Sequence, residues 1–151
     1  MNTTLRKAEK ADLPALNRIS LASKRYWNYP DHWIEKWKPM LRVRASDLQN
    51  QTFLILENER EIMGFSALYE EEQYFEITHF WILPTYIGQG YGKLLMKKLL
   101  EYSVNTTKDI IVEADPNAVP FYESQGFVTY DRVESNPSGR YLPLMKRKFY
   151  G

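Results

Sequence analysis

Gly88, Gly90 and Gly92 fall within five residues, after Pro84 and at the head of an apolar–cationic stretch that begins at Tyr91. Glycine lets the backbone approach a bulky anion and adopt conformations that other residues avoid. A helix start adds unpaired N–H donors and a partial positive charge. Together these make a phosphate cradle. A tight turn without a ligand needs only one or two glycines, so three directly ahead of a strong helix favour an anion site. A Walker loop does not fit. Gly92-Lys93 could close one, but Ile87 stands where its first glycine belongs and Leu94 replaces its hydroxyl residue. The dinucleotide pattern fails too, because counting from Gly88 or Gly90 puts Lys93 or Leu95 at the last glycine position. Glu113 lies about where a ribose-binding acid belongs. That leaves a nicotinamide-dependent oxidoreductase as a lesser alternative, although hairpin strands precede the turn and little chain remains for a second half-fold.

The elements that must position this turn follow from periodicity. Thr3 to Lys7 reads as a strand. Asp12 reads as a helix cap ahead of Leu13, Leu16, Ile19 and Leu21, and a second helix begins near Asp31 with Trp33 and Trp37 on one face. A short helix over 46–50 leads to three strands, 52–57, 62–69 and 74–83, joined by connections short enough for hairpins. After the glycine turn, Tyr91, Leu94, Leu95, Leu99 and Tyr102 predict one face of a helix. A strand over 109–114, a helix over 118–125 stopped by Gly126, and strands over 127–134 and 141–148 complete the chain. Hairpins beside strand–helix–strand crossovers predict a mixed sheet with helices on both faces, an α/β or α+β domain. No repeat or linker divides it, so residues 1–151 are expected to form one domain.

Composition narrows the function. The chain is 44% hydrophobic and 26% charged, as a globular protein is, and no segment has the apolar length of a membrane span. No signal-peptide pattern is present, so a cytoplasmic location is expected. With no cysteine and two histidines, a thiolate nucleophile is excluded and no metal site is expected. A net charge of +1 argues against nucleic acid as the partner.

Pro84 through Lys93 closely resembles the pyrophosphate-binding turn of the GNAT superfamily of acyl-CoA-dependent N-acyltransferases. A second stretch agrees. Glu113-Ala114-Asp115-Pro116-Asn117-Ala118, running on through Phe121-Tyr122 to Gly126-Phe127, is similar to the later motif of that family. The two matches come in the family's order, one helix and one strand apart. The resemblance implies a single GNAT-like domain with a mostly antiparallel mixed sheet of about seven strands, acetyl-CoA as cofactor, and transfer to a primary amine of a small molecule or peptide. It allows a homodimer. One departure is Ile87, where the family usually carries Arg or Gln. Isoleucine cannot donate to a phosphate, which leaves the backbone donors and keeps open a non-catalytic acyl-CoA-binding module.

Acyl transfer from a thioester to an amine needs a neutral amine, a stabilised oxyanion and a proton for the departing thiolate. By resemblance, the strand end at Ile82 and Leu83 splays from its neighbour and offers backbone N–H groups to the cofactor. Ile87, Gly88, Gln89, Gly90, Tyr91, Gly92 and Lys93 surround the pyrophosphate. Asn117 caps a helix and contacts the cofactor, though capping alone also explains it. Tyr122 matches the usual proton donor, and a phenol stays protonated at neutral pH. Phe121 and Phe127 read as core. For the general base, Glu76 is chosen, with His79 and Glu113 as alternatives and a water chain as another. Glu76 and Thr78 share a strand face, and His79 points away unless a bulge resets the phase. The acceptor side is expected to use Tyr26, Trp27, Tyr29, Trp33 and Trp37. Those rings suit either a cation–π pocket or a buried helix face. Arg140 suits either an acceptor carboxylate or a solvated surface.

Overall fold

The structure is a computed structural model that describes residues 2–104 and 106–148; the ends of the expected 1–151 domain and Asn105 lie outside the described residues. Seven strands form one sheet: β1 (Thr4–Lys7), β2 (Thr52–Glu57), β3 (Ile62–Glu70), β4 (Tyr74–Ile82), β5 (Asp109–Glu113), β6 (Val128–Ser135) and β7 (Arg140–Arg147). Their spatial order is β1-β2-β3-β4-β5-β7-β6. Only β4 and β5 pair in parallel; every other neighbouring pair is antiparallel. A doubly wound nucleotide fold needs a parallel sheet, so this topology removes the oxidoreductase alternative.

Helices cover both faces, as alternation in the central strands dictates. In β2, Phe53 and Ile55 face α1 (Leu13–Arg25) with Leu16 and Ile19, whereas Leu54 and Leu56 face α4 (Tyr91–Leu100) with Leu95, Met96 and Leu99. Such a strand is buried on both sides, which is why β2 is a continuous apolar run. α2 (Asp31–Leu41) buries Ile34 and Trp37 beside α1, α3 (Ala45–Asn50) leads into β2, and α5 (Val119–Ser124) follows β5. The expected inner face of α4 needs correction. Leu94 is 38% exposed and Tyr102 equally so. Met96, not Leu94, joins Leu95 and Leu99 because that arc, four residues on from Gly92, is the one that meets the sheet.

Two irregularities aim the sheet at the site. Leu68 pairs with Ile77 and Ala67 with His79, so Thr78 is the extra residue of a bulge in β4. The bulge resets the phase. Phe75 and Ile77 face the α4 side, yet His79 packs against Phe53 and Phe65 on the α1 side. Glu76 and His79 therefore share a face. The second irregularity is that β4 pairs with β5 only from Tyr74 to Ile77; beyond the bulge it runs on to Ile82 without a partner from β5.

Gly64 keeps β3 close to the end of β4. A Cβ there would run into the Trp81 carbonyl oxygen and lie 2.8 Å from Ile82 Cδ1. Gly64→Ala is expected to destabilise the protein by about 1–3 kcal/mol, the usual range for overpacking. An unchanged chemical-denaturation midpoint would show that the two strands are not held at this distance.

Candidate active site

Where β4 leaves β5, a cavity of about 680 Å³ opens, lined by both strands, the glycine turn, α5 and the acceptor-side residues of α1, α2 and β7. Its floor is backbone. The Leu83 N–H donates to the Met63 carbonyl at 2.8 Å. The expectation that Leu83 offers a free donor is therefore corrected: that group is spent on β3. Alternation along the strand sends the Ile82 N–H to the opposite edge, into the gap. The Ile82 carbonyl on the same edge accepts from the Ser23 hydroxyl at 3.2 Å.

The turn presents backbone donors that no side chain caps. A single 3-10 turn, Pro84–Tyr86, precedes it, and the buried Tyr86 donates its hydroxyl to Glu61 at 2.7 Å, fastening the turn to the β2–β3 hairpin. Gly88 and Gly90 have φ of +79° and +89°, and a Cβ at either would meet nothing within 4 Å. The glycines are thus needed for a left-handed backbone, which opens onto free space. Gly92 differs: its Cβ would lie 3.0 Å from the Phe121 ring, so its hydrogen lets α4 meet α5. No side chain caps α4, and Leu94 is the first residue to bond back, to the Gly90 carbonyl at 3.2 Å. The N–H groups of Tyr91, Gly92 and Lys93 precede that first bond at the positive end of the helix. The Gln89 amide folds back onto the Thr85 carbonyl at 2.9 Å, and Ile87 is exposed. Neither side chain takes the place of an anion-binding arginine, yet backbone donors at a left-handed turn fit a pyrophosphate on their own.

On the opposite wall stands Tyr122, 5% exposed, with its ring against Phe121, Phe127 and, more distantly, Phe80. Its hydroxyl enters none of the hydrogen bonds among the described residues. Burial, and then the charge of Asp115, raise the phenol above its ordinary pKa, so it holds its proton at neutral pH. Glu76 is half-buried on the cavity wall; burial first, then the charges of Glu113 and Glu71, raise its carboxyl. His79 accepts from the Trp81 indole N–H at 3.0 Å through Nδ1, which places its own proton on Nε2. Burial pushes its pKa down to about 4. With its lone pair engaged, His79 is a poor base.

The wall formed by α1, α2 and β7 holds what the sequence did not reveal. Asp115 accepts from Lys24 Nζ at 2.6 Å and from the Tyr29 hydroxyl at 3.0 Å, and Arg140 Nη2 stands 4.0 Å away. Asp115, not Asn117, is the cap of the turn before α5, accepting from the Asn117 N–H at 2.9 Å. The Asn117 side chain instead donates to the Tyr29 hydroxyl at 3.1 Å. Burial would raise the Asp115 carboxyl, but Lys24 and the hydrogen bonds outweigh it and hold it low. The rings of Trp37 and Tyr29 are already covered. Lys24 lies 4.7 Å and 5.1 Å from their centroids, and Arg140 lies 4.6 Å and 5.1 Å. A cationic acceptor does not find those faces free.

Comparison with known proteins agrees with this geometry. Residues 27–147 match the family model of the acetyltransferase (GNAT) domain, and the chain belongs to that family. It is an acyltransferase, and acetyl-CoA is the acetyl donor that goes with the family. An uncharacterized N-acetyltransferase of Archaeoglobus fulgidus is 27% identical over 150 residues, covering 89% of this chain and 97% of its own length. The structure of PaiA N-acetyltransferase from Thermoplasma acidophilum, solved with coenzyme A, superposes with a TM-score of 0.80 at 19% identity over 99% of this chain and 100% of that one. A GCN5-related N-acetyltransferase from Rhodopseudomonas palustris gives 0.78 at 21% identity over 99% and 97%. At these identities the superpositions speak for the fold.

The His79 environment has a measurable consequence. Its folded pKa of about 4 lies below the unfolded value of 6.5. Between the two, the unfolded chain binds the proton and the folded one does not, so this contribution to stability is complete above pH 6.5 and is lost as pH falls towards 4. An NMR titration is expected to show the His79 ring neutral down to about pH 4. A midpoint near 6.5 would contradict the tautomer and the burial assigned here.

Proposed function

We propose that this protein transfers the acetyl group of acetyl-CoA directly to a primary amine of a small molecule or peptide, with Tyr122 as proton donor and Glu76 as the base. The observation that carries this reading is the departure of β4 from β5, which leaves a backbone edge between an uncapped helix start and a buried phenol with no partner among the described residues.

When bound, the cofactor supplies an activated acetyl thioester. The chain's own groups then have distinct tasks. The turn from Gly88 to Lys93 holds the phosphates through main-chain donors. The Ile82 N–H, pointing into the gap, polarises the carbonyl that is attacked. Glu76, its carboxyl raised by burial and by the charges of Glu113 and Glu71, accepts the proton that an acceptor ammonium must lose before it can attack. As the C–N bond forms and the C–S bond breaks, Tyr122 gives its proton to sulfur and is reprotonated by the proton leaving nitrogen. One proton is released per transfer. Burial of Tyr122 keeps that proton in place until sulfur needs it and excludes water from the same wall.

Assays of coenzyme A release against a panel of amines test the reaction. Tyr122→Phe is expected to lower turnover by roughly tenfold or more with coenzyme A affinity little changed, a floor set below the roughly hundredfold low end of general acid catalysis. Wild-type turnover in that variant would remove Tyr122 from the mechanism. The pH profile of kcat/KM is expected to carry an acidic limb above the ordinary carboxylate range, and Glu76→Gln is expected to abolish it. A limb that persists in this variant assigns the base elsewhere.

A further inference from the structure

Arg140 is an expensive residue to bury as it stands. Its side chain is 13% exposed, yet its hydrogen bonds go to two hydroxyls, Tyr29 at 3.2 Å and Ser135 at 3.4 Å. Among the described residues the single carboxylate within ion-pair range, Asp115, is 4.0 Å away and is already taken by Lys24 at 2.6 Å. Two cations, 9% exposed in the case of Lys24, thus share one anion on the cavity wall and leave an excess positive charge. A guanidinium removed from water without a matched anion is destabilising unless something else compensates it. The cavity is polarised as well. Glu76 and Glu113 line it from adjoining strands, Glu76 pairing with Ile111 two residues before Glu113, whereas Lys24 and Arg140 both stand beside Asp115. The acidic end, with Glu76, suits an ammonium; the basic end lies with Arg140. The guanidinium rests against the edge-to-face pair of Trp37 and Tyr29, 4.6 Å and 5.1 Å from their centroids, and a fork held in place suits a planar, two-oxygen partner.

Resting on the acetyl-transfer reading above, we infer that Arg140, backed by Lys24, forms a carboxylate subsite, and that the acceptor is a small amine carrying a carboxylate. The acceptor would present its amine to the acidic wall and its carboxylate to Arg140.

The experiment uses product-like probes: the N-acetyl derivatives of the common amino acids, β-alanine and 4-aminobutyrate, each paired with its neutral carboxamide. Binding to the protein loaded with coenzyme A is measured by calorimetry. At least one acid is expected to bind about tenfold or more tighter than its amide, the size of a lost charge-assisted hydrogen bond. Arg140→Gln is expected to erase that preference, and Arg140→Lys, which keeps the charge without the fork, to restore only part of it. Coenzyme A affinity reports whether each variant is folded; if Arg140→Gln is not, the wild-type acid-to-amide ratio and Arg140→Lys decide. Amides that bind as well as acids across the panel, or a preference that survives Arg140→Gln, would overturn the subsite. Turnover of the free amines separates the two readings. Neutral amines acetylated with no preference for acids would sink the subsite and leave acetyl transfer standing. Acids preferred in binding, with no amine acetylated, would leave the subsite standing and sink the transfer reading.

Discussion

A buried strand edge has to find hydrogen-bond partners, and the site grows from one that loses its neighbour. β4 and β5 pair through Ile77 and Val112 and then part. Past that point the backbone groups of β4 that faced β5 must be met by side chains, solvent or a ligand, since orphaned buried donors are costly. Ser23 reaches across to one such carbonyl. The Ile82 N–H on the same edge remains as a fixed donor whose position is set by the sheet. A thioester carbonyl placed against it would meet a dipole that needs no rearrangement during reaction. The bulge at Thr78 fits the same constraint. The extra residue turns β4 as the pairing ends, and the Thr78 hydroxyl bonds to Gln51 near the start of β2.

The glycine turn divides its labour in a way that the spacing of its residues does not express. Gly88 and Gly90 serve the backbone conformation, and Gly92 serves helix packing against Phe121. In the family pattern all three look alike. Under the proposed reading isoleucine at position 87 is tolerable for the same reason: the charge complement would come from a helix end and main-chain N–H groups, not from a side chain.

Much of the fold was legible because its signals are local. Hairpin connections, the apolar run of β2 and the glycine punctuation set the element order, and the two motifs placed the turn and Tyr122. The helix face of α4 was misread at Leu94 because several arcs of a leucine-rich helix satisfy the same period, and only the sheet decides among them. The phase of His79 hung on a bulge, which no pattern in 74–82 announces. The Lys24–Asp115 pair was invisible because its members are 91 residues apart. One clue was available: Asp115 directly before Pro116 marks a capped turn, which would have moved the cap from Asn117 to Asp115.

The two halves of the cavity differ in how they come together along the chain. The phosphate turn is tied by near neighbours: Tyr86 reaches Glu61 across 25 residues and packs on Tyr91. The acceptor wall depends on distant meetings, with Tyr29 bonded to Asp115 across 86 residues, Trp37 to Asn136 across 99, and Arg140 to Tyr29 across 111. Closing such long loops costs entropy that only the completed sheet offsets. During synthesis the glycine turn therefore emerges together with its partners Glu61 and Tyr91, whereas Lys24, Tyr29 and Trp37 must wait for Asp115, Asn136 and Arg140 to leave the ribosome. The wall around Arg140, unlike the glycine turn, is a property of the finished chain alone.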